Sequence, residues 1–166
     1  MTIFLSGFMG CGKTTIGKLL AHKMGLGYID SDEYIAEREG MSIPEIFAEK
    51  GEPYFRKTEA EAIKCLGGKN YVIACGGGAM LNDYTAAYAA GIGAVIFLDV
   101  PFDVCYNRIC GDENRPIVMS STRDELLLRY NTRYPIYKKH SALHIDCNES
   151  PIICVKRIMT GLCVRN

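Results

Sequence analysis

A short apolar run, Thr2-Ile3-Phe4-Leu5-Ser6, leads into Gly7-Phe8-Met9-Gly10-Cys11-Gly12-Lys13-Thr14, and a helical pattern starts at Lys13. No other stretch constrains the fold of this chain as strongly. The spacing is G-x-x-x-x-G-K-T, in which glycines let successive backbone N–H groups turn inward around a polyphosphate. A Cβ at those positions would obstruct the turn. The helix continues to Met24 with Ile16, Leu19, Leu20 and Met24 on one face, and its N-terminus points at the same place. Gly10, Cys11, Gly12, Lys13, Thr14 and Thr15 are therefore the expected contacts of a nucleoside triphosphate. Lys13 would reach the β- and γ-phosphates, and the Thr14 hydroxyl would ligate Mg²⁺. A dinucleotide turn does not fit, because G-x-G-x-x-G beginning at Gly10 needs glycine where Thr15 stands.

At 166 residues the chain is expected to be a single domain, 1–166. Nineteen basic residues balance nineteen acidic ones, which argues against a nucleic-acid or anionic-membrane partner. No apolar run approaches the roughly 18–20 residues that span a bilayer, and the N-terminus lacks the pattern of a secretory signal. The eight cysteines (Cys11, Cys65, Cys75, Cys105, Cys110, Cys147, Cys154 and Cys163) form no C-x-x-C. His22, His140 and His144 do not supply the paired ligands of structural zinc either. Reduced thiols in a cytoplasmic monomer are expected.

Strand and helix patterns alternate to the end of the chain. Candidate strands are Thr2–Ser6, Gly27–Asp30, Tyr71–Ala74, Ala94–Leu98 and Leu143–Asp146, short apolar runs suited to parallel strands covered on both faces. Ser42 with Glu45, and Thr122 with Glu125, have capping-box spacing, and Ser150-Pro151 reads as a cap followed by proline at the first helical position. Two stretches depart from the alternation. Residues 32–66 hold two or three helices where a crossover needs one, and residues 110–120 are polar with little periodicity, as in a lid.

Further candidates cluster where strands end, the edge at which open α/β sheets bind ligands. In Asp30-Ser31-Asp32, one carboxylate can hold Mg²⁺ through water while the other meets a substrate; equally, Ser31 or Asp32 can serve as a helix N-cap. Gly76-Gly77-Gly78 permits positive φ and close approach of backbone to ligand, or is only a flexible turn. Arg56, Arg115 and Arg133 offer planar forks for carboxylate or phosphate, though each alone reads as a surface charge. Glu59, one turn from Arg56, is spaced to orient its guanidinium.

In order and spacing these elements resemble the shikimate kinase family, from Thr2 to about residue 160. The resemblance rests on GFMGCGKTT, Asp30-Ser31-Asp32, Ile46-Phe47 leading through Gly51-Glu52 to Phe55-Arg56, Gly76–Gly78, Arg115-Pro116 and Arg133-Tyr134-Pro135-Ile136-Tyr137. It implies a three-layer α/β/α fold like that of nucleoside monophosphate kinases. Its five-stranded parallel sheet would have the order 2-3-1-4-5, with a substrate-binding helical insertion at about 32–66 and a lid at about 110–120. It also implies transfer of the ATP γ-phosphate to the 3-hydroxyl of shikimate, on the route to chorismate and aromatic amino acids. Carried over by position, Lys13, Asp32 and Arg115 are catalytic, with Asp32 as candidate base. Asp32, Arg56, Gly77, Gly78 and Arg133 bind shikimate, the two arginines clamping its carboxylate. Thr14 and Asp30 hold Mg²⁺, Arg115 contacts the phosphates, and Arg108 and Pro151 sandwich adenine. The chain departs from the family pattern at Cys75, where threonine often precedes the glycines, at Cys11, often serine, and at Ile117-Val118, usually leucines.

Other readings are a gluconate kinase on the same scaffold, or a non-catalytic nucleotide-binding regulatory module. A GTPase switch would need N-K-x-D and D-x-x-G, and the sequence holds neither.

Overall fold

The computed structural model describes residues 1–111, 118 and 120–164. Its strands are β1 (Ile3–Ser6), β2 (Gly27–Asp30), β3 (Tyr71–Ala74), β4 (Ala94–Asp99) and β5 (Leu143–Asp146). Among the described residues the helices are α1 (Lys13–Met24), α2 (Ser31–Glu39), α3 (Ile43–Leu66), α4 (Asp83–Ile92), α5 (Phe102–Ile109), α6 (Arg123–Lys139) and α7 (Pro151–Cys163), with a 3-10 turn at Ala79–Leu81. All strand pairs are parallel, and the five strands run in the order β2-β3-β1-β4-β5. The expected sheet is the observed one.

β1 is buried on both faces because neighbours flank it and helices cover it above and below. Ile3 and Leu5 pack into one core with Ile16 and Leu20 of α1 and Val155 and Ile158 of α7. Phe4, pointing the other way, packs with Ile63 and Leu66 of α3 and Ala86 and Ala89 of α4. Each such burial contributes about 1.5–3 kcal/mol. On α1 the fully buried positions are Ile16, Gly17, Leu20 and Ala21, whereas Leu19 and Met24 are only partly covered.

Local signals set the helix ends. Ser42–Glu45 and Thr122–Glu125 both close as reciprocal capping boxes. α7 begins with Pro151 at its first turn, but the Ser150 side chain makes no capping bond. The cap of α2 is Asp30, a correction to the expectation of Ser31 or Asp32: its Oδ1 accepts from the Asp32 N–H at 2.9 Å. Ser31 is turned into the protein, where its Oγ accepts from the Gly76 N–H at 2.8 Å. α3 is broken at Gly51, where φ 79° and ψ 168° are not helical, so three helical segments separate β2 from β3. Pro53, just beyond, could not have continued the ladder of the first segment.

Candidate active site

The phosphate loop leaves the carboxyl end of β1 and enters α1. Gly7, Gly10 and Gly12 have φ of 146°, 79° and 95°, values that L side chains adopt at a cost. A Cβ on Gly10 would also lie 2.6 Å from the Cys105 carbonyl oxygen. Thr14 and Thr15 are exposed at the helix start, where unpaired N–H groups and the helix dipole favour an anion. The Lys13 ammonium folds back over the loop, donating to the carbonyls of Gly7 at 2.9 Å and Phe8 at 3.1 Å. Burial works against its charge, but Cys11, Tyr137, Asp32 and Cys75 outweigh that and hold its pKa above the ordinary lysine value. Cys11 is buried with its sulfur 3.7 Å from Lys13 Nζ. Arg108, exposed on α5, donates to the Gly10 carbonyl at 3.1 Å, and Pro151 is exposed at the start of α7.

The second wall is built around Gly76-Gly77-Gly78. None of these glycines has positive φ, so conformational freedom is not the reason for them. Space is. A Cβ on Gly76 would lie 2.3 Å from Asp32 Oδ1 and 3.0 Å from Glu59 Oε1, and one on Gly78 would lie 2.0 Å from Arg56 Nη1. The Gly77 carbonyl accepts from Arg133 Nη1 at 3.2 Å and from the Tyr137 hydroxyl at 2.6 Å. Three glycines from β3 thus gather Asp32 from α2, Arg56 and Glu59 from α3, and Arg133 and Tyr137 from α6.

The Arg56 guanidinium is held from three sides. Glu59 accepts from it at 2.8 Å, Glu52 accepts at 3.1 Å, and the Phe55 ring lies 5.3 Å from its central carbon. Glu59 is 3% exposed. Burial pushes its carboxyl up to about 7, against the opposing pull of Arg56. The orienting role expected of Glu59 from its spacing therefore has a geometric basis. Glu52 was legible too, since Glu52 and Arg56 have i, i+4 spacing. Ser31 and the Tyr137 hydroxyl carry no local sequence signal for their bonds to the glycine segment. Cys75 is buried beside this wall, its thiol pushed up by burial and donating to the Ile73 carbonyl at 3.7 Å.

The donors present suit Mg²⁺. One oxygen of Asp30 caps α2 and the other remains, while Thr14 presents a hydroxyl at the helix start. Kinase sites hold Mg²⁺ by one or two protein oxygens together with phosphates and waters, so a larger cage is not required. Among the described residues no three His, Cys, Asp or Glu side chains converge on a metal position. Nearby, the Tyr28 phenol is pushed up to about 12 by burial. Arg115, and with it most of the expected lid at 110–120, lies outside the described residues.

The family model described as shikimate kinase matches residues 9–162. The shikimate kinase of Aquifex aeolicus is 38% identical over 163 residues, covering 98% of this chain and 96% of that protein. The solved shikimate kinase from Acinetobacter baumannii in complex with shikimate superposes with a TM-score of 0.92 at 30% identity, covering 99% of this chain and 94% of that one. A gluconokinase from Sinorhizobium meliloti superposes with a TM-score of only 0.58 at 16% identity over 98% of this chain and 91% of that one, a likeness of fold alone.

Proposed function

The chain belongs to the shikimate kinase family, ATP-dependent small-molecule kinases, and from that membership we propose how its own residues carry out the transfer. The substrates are ATP and shikimate, and the products are ADP and shikimate 3-phosphate. The observation that carries this reading is the glycine wall, which gathers Asp32, Arg56 and Arg133 opposite the loop bearing Lys13. One carboxylate and two guanidinium forks suit a small polyol bearing a single carboxylate.

Arg56 and Arg133 hold the shikimate carboxylate while the backbone at Gly77 and Gly78 lies against its ring. Asp32 accepts hydrogen bonds from the ring hydroxyls and takes the proton of the 3-hydroxyl as its oxygen attacks the γ-phosphorus. The bond from that phosphorus to the β,γ-bridging oxygen breaks, and ADP leaves. Lys13, now bound to neutral carbonyls, finds stronger acceptors in phosphate oxygens and stabilises the charge spread over the transferring group. Thr14 and Asp30 would hold Mg²⁺, Asp30 through water; when bound, the ion neutralises charge on the β- and γ-phosphate oxygens. Arg108 and Pro151 would flank adenine, a placement supported for Arg108 by its bond to the phosphate loop.

No described helix is long and apolar enough to cross a membrane. A cytoplasmic location is supported by the exposed free thiols of Cys65, Cys110 and Cys163, which a reducing compartment preserves.

A coupled ADP-release assay with Mg²⁺ and ATP, run against shikimate, quinate and gluconate, tests the reading. Rapid release is expected with shikimate alone. Equal turnover with gluconate would overturn the substrate assignment while leaving the fold untouched.

A further inference from the structure

We propose that Tyr28 is a positioning residue for the Mg²⁺ ion that accompanies the nucleotide, an inference that rests on the placement of that ion at Thr14 and Asp30. Tyr28 and Asp30 are two apart on β2 and project to the same side of the sheet. The Tyr28 ring packs against α1 at Gly17, where a Cβ would lie 2.7 Å from its Cε2 atom. The Lys18 ammonium lies 5.5 Å from the ring centre. Thr14 is one turn before Gly17, so the ring carries its hydroxyl to the first turn of α1. There the Thr14 side chain is within its reach, and Asp30 and Glu33 add negative charge to its surroundings.

The phenolic oxygen is buried, yet among the described residues it makes no hydrogen bond of ordinary geometry. Buried polar groups are nearly always paired, and phenylalanine would fill the same space without an oxygen to satisfy. A threonine that gives a lone pair to a cation must turn its own proton away from it. The Tyr28 oxygen is an acceptor placed to take that hydrogen bond, and its own proton is then directed toward the Asp30 side, where a carboxylate accepts. No proton changes owner. Tyr28 fixes which way Thr14 points.

Tyr28→Phe keeps the ring and removes only the oxygen, so three measurements can separate the possibilities. These are the unfolding temperature of the ligand-free protein, ADP affinity by calorimetry with Mg²⁺, and ADP affinity with EDTA in its place. The variant is expected to unfold at the native temperature or above, and to bind ADP in EDTA as the native protein does. Its gain in ADP affinity from Mg²⁺ should be smaller by about three- to tenfold, the range of one neutral hydrogen bond. An undiminished gain overturns the proposal. So does a fall in unfolding temperature of more than about 2 °C, because the hydroxyl would then already be satisfied in the free protein. Should the native protein gain nothing from Mg²⁺, the placement of the cation itself fails, and Tyr28 loses its role with it. Thr14→Val serves as the reference: it should abolish the gain whether residue 28 is tyrosine or phenylalanine.

Discussion

A methyl group on Gly78 would lie 2.0 Å from Arg56 Nη1, an approach that side chains do not tolerate. Gly78→Ala must therefore displace the guanidinium, and KM for shikimate should rise by about tenfold while KM for ATP stays near native. Steady-state kinetics with each substrate varied in turn will show this, and equal changes in both would mean general damage. Arg133→Lys keeps a charge but loses the fork that reaches the Gly77 carbonyl and that we propose holds the shikimate carboxylate as well. It should weaken shikimate by about one to two orders of magnitude, the worth of one charge-assisted pair, and leave nucleotide affinity unchanged. Comparable weakening of ATP would move Arg133 to the nucleotide site. Glu59 adds a pH dependence. Its carboxyl, held up at about 7 by burial against an ordinary 4.5, keeps a proton that the unfolded chain has already released. The stability this gives is complete below 4.5 and is lost as pH rises through about 7. Glu59→Gln removes that slope, so the native protein should lose unfolding free energy relative to the variant across this window. Parallel curves would mean that the Glu59 carboxyl titrates at its ordinary value.

At the scale of elements, the capped helices are the most legible parts of the chain. The spacing of Thr122 and Glu125 is enough to start α6, and Thr122→Ala should lower stability by about 1 kcal/mol in urea unfolding. β2 and β3 were readable to the residue because turn-forming sequence bounds each apolar run. The cap of α2 was not. Asp30-Ser31-Asp32 offers three consecutive cap-competent residues, and local preference cannot choose among them; the choice falls to Asp30 because Ser31 is drawn inward to the Gly76 N–H. The break in α3 was legible as a count of two or three helices over 32–66 but not as a position, since Gly51 can be either helical or left-handed until packing decides. Least legible was the glycine segment. Its need for glycine comes from Asp32, Glu59 and Arg56, which reach it from other elements, and Arg133 and Tyr137 meet Gly77 across 56 and 60 positions of chain. Such contacts exist only once strand order is fixed, and strand order came from family resemblance rather than from periodicity.

Across the whole molecule, Lys13 is a residue whose loss should spare the fold. Among the described residues its ammonium bonds only to the carbonyls and the thiol of its own loop, while the core that shapes the loop lies beneath it. Lys13→Ala should therefore unfold like the native protein yet lose about two to three orders of magnitude in kcat, by analogy with removal of an oxyanion donor. Circular dichroism and the ADP-release assay on one preparation will check both halves. The sheet order has a consequence of another kind, in time rather than space. β1 is synthesised before β3 and β4, yet it lies between them, and its loop is moulded by backbone made much later: Gly7 abuts the Leu98 carbonyl and Gly10 that of Cys105. A chain emerging from the ribosome thus carries its nucleotide motif well before the backbone that moulds its loop. Only after α5 has been made can ATP lend its full binding energy to folding, so chains unfinished or truncated before α5 are left without that protection.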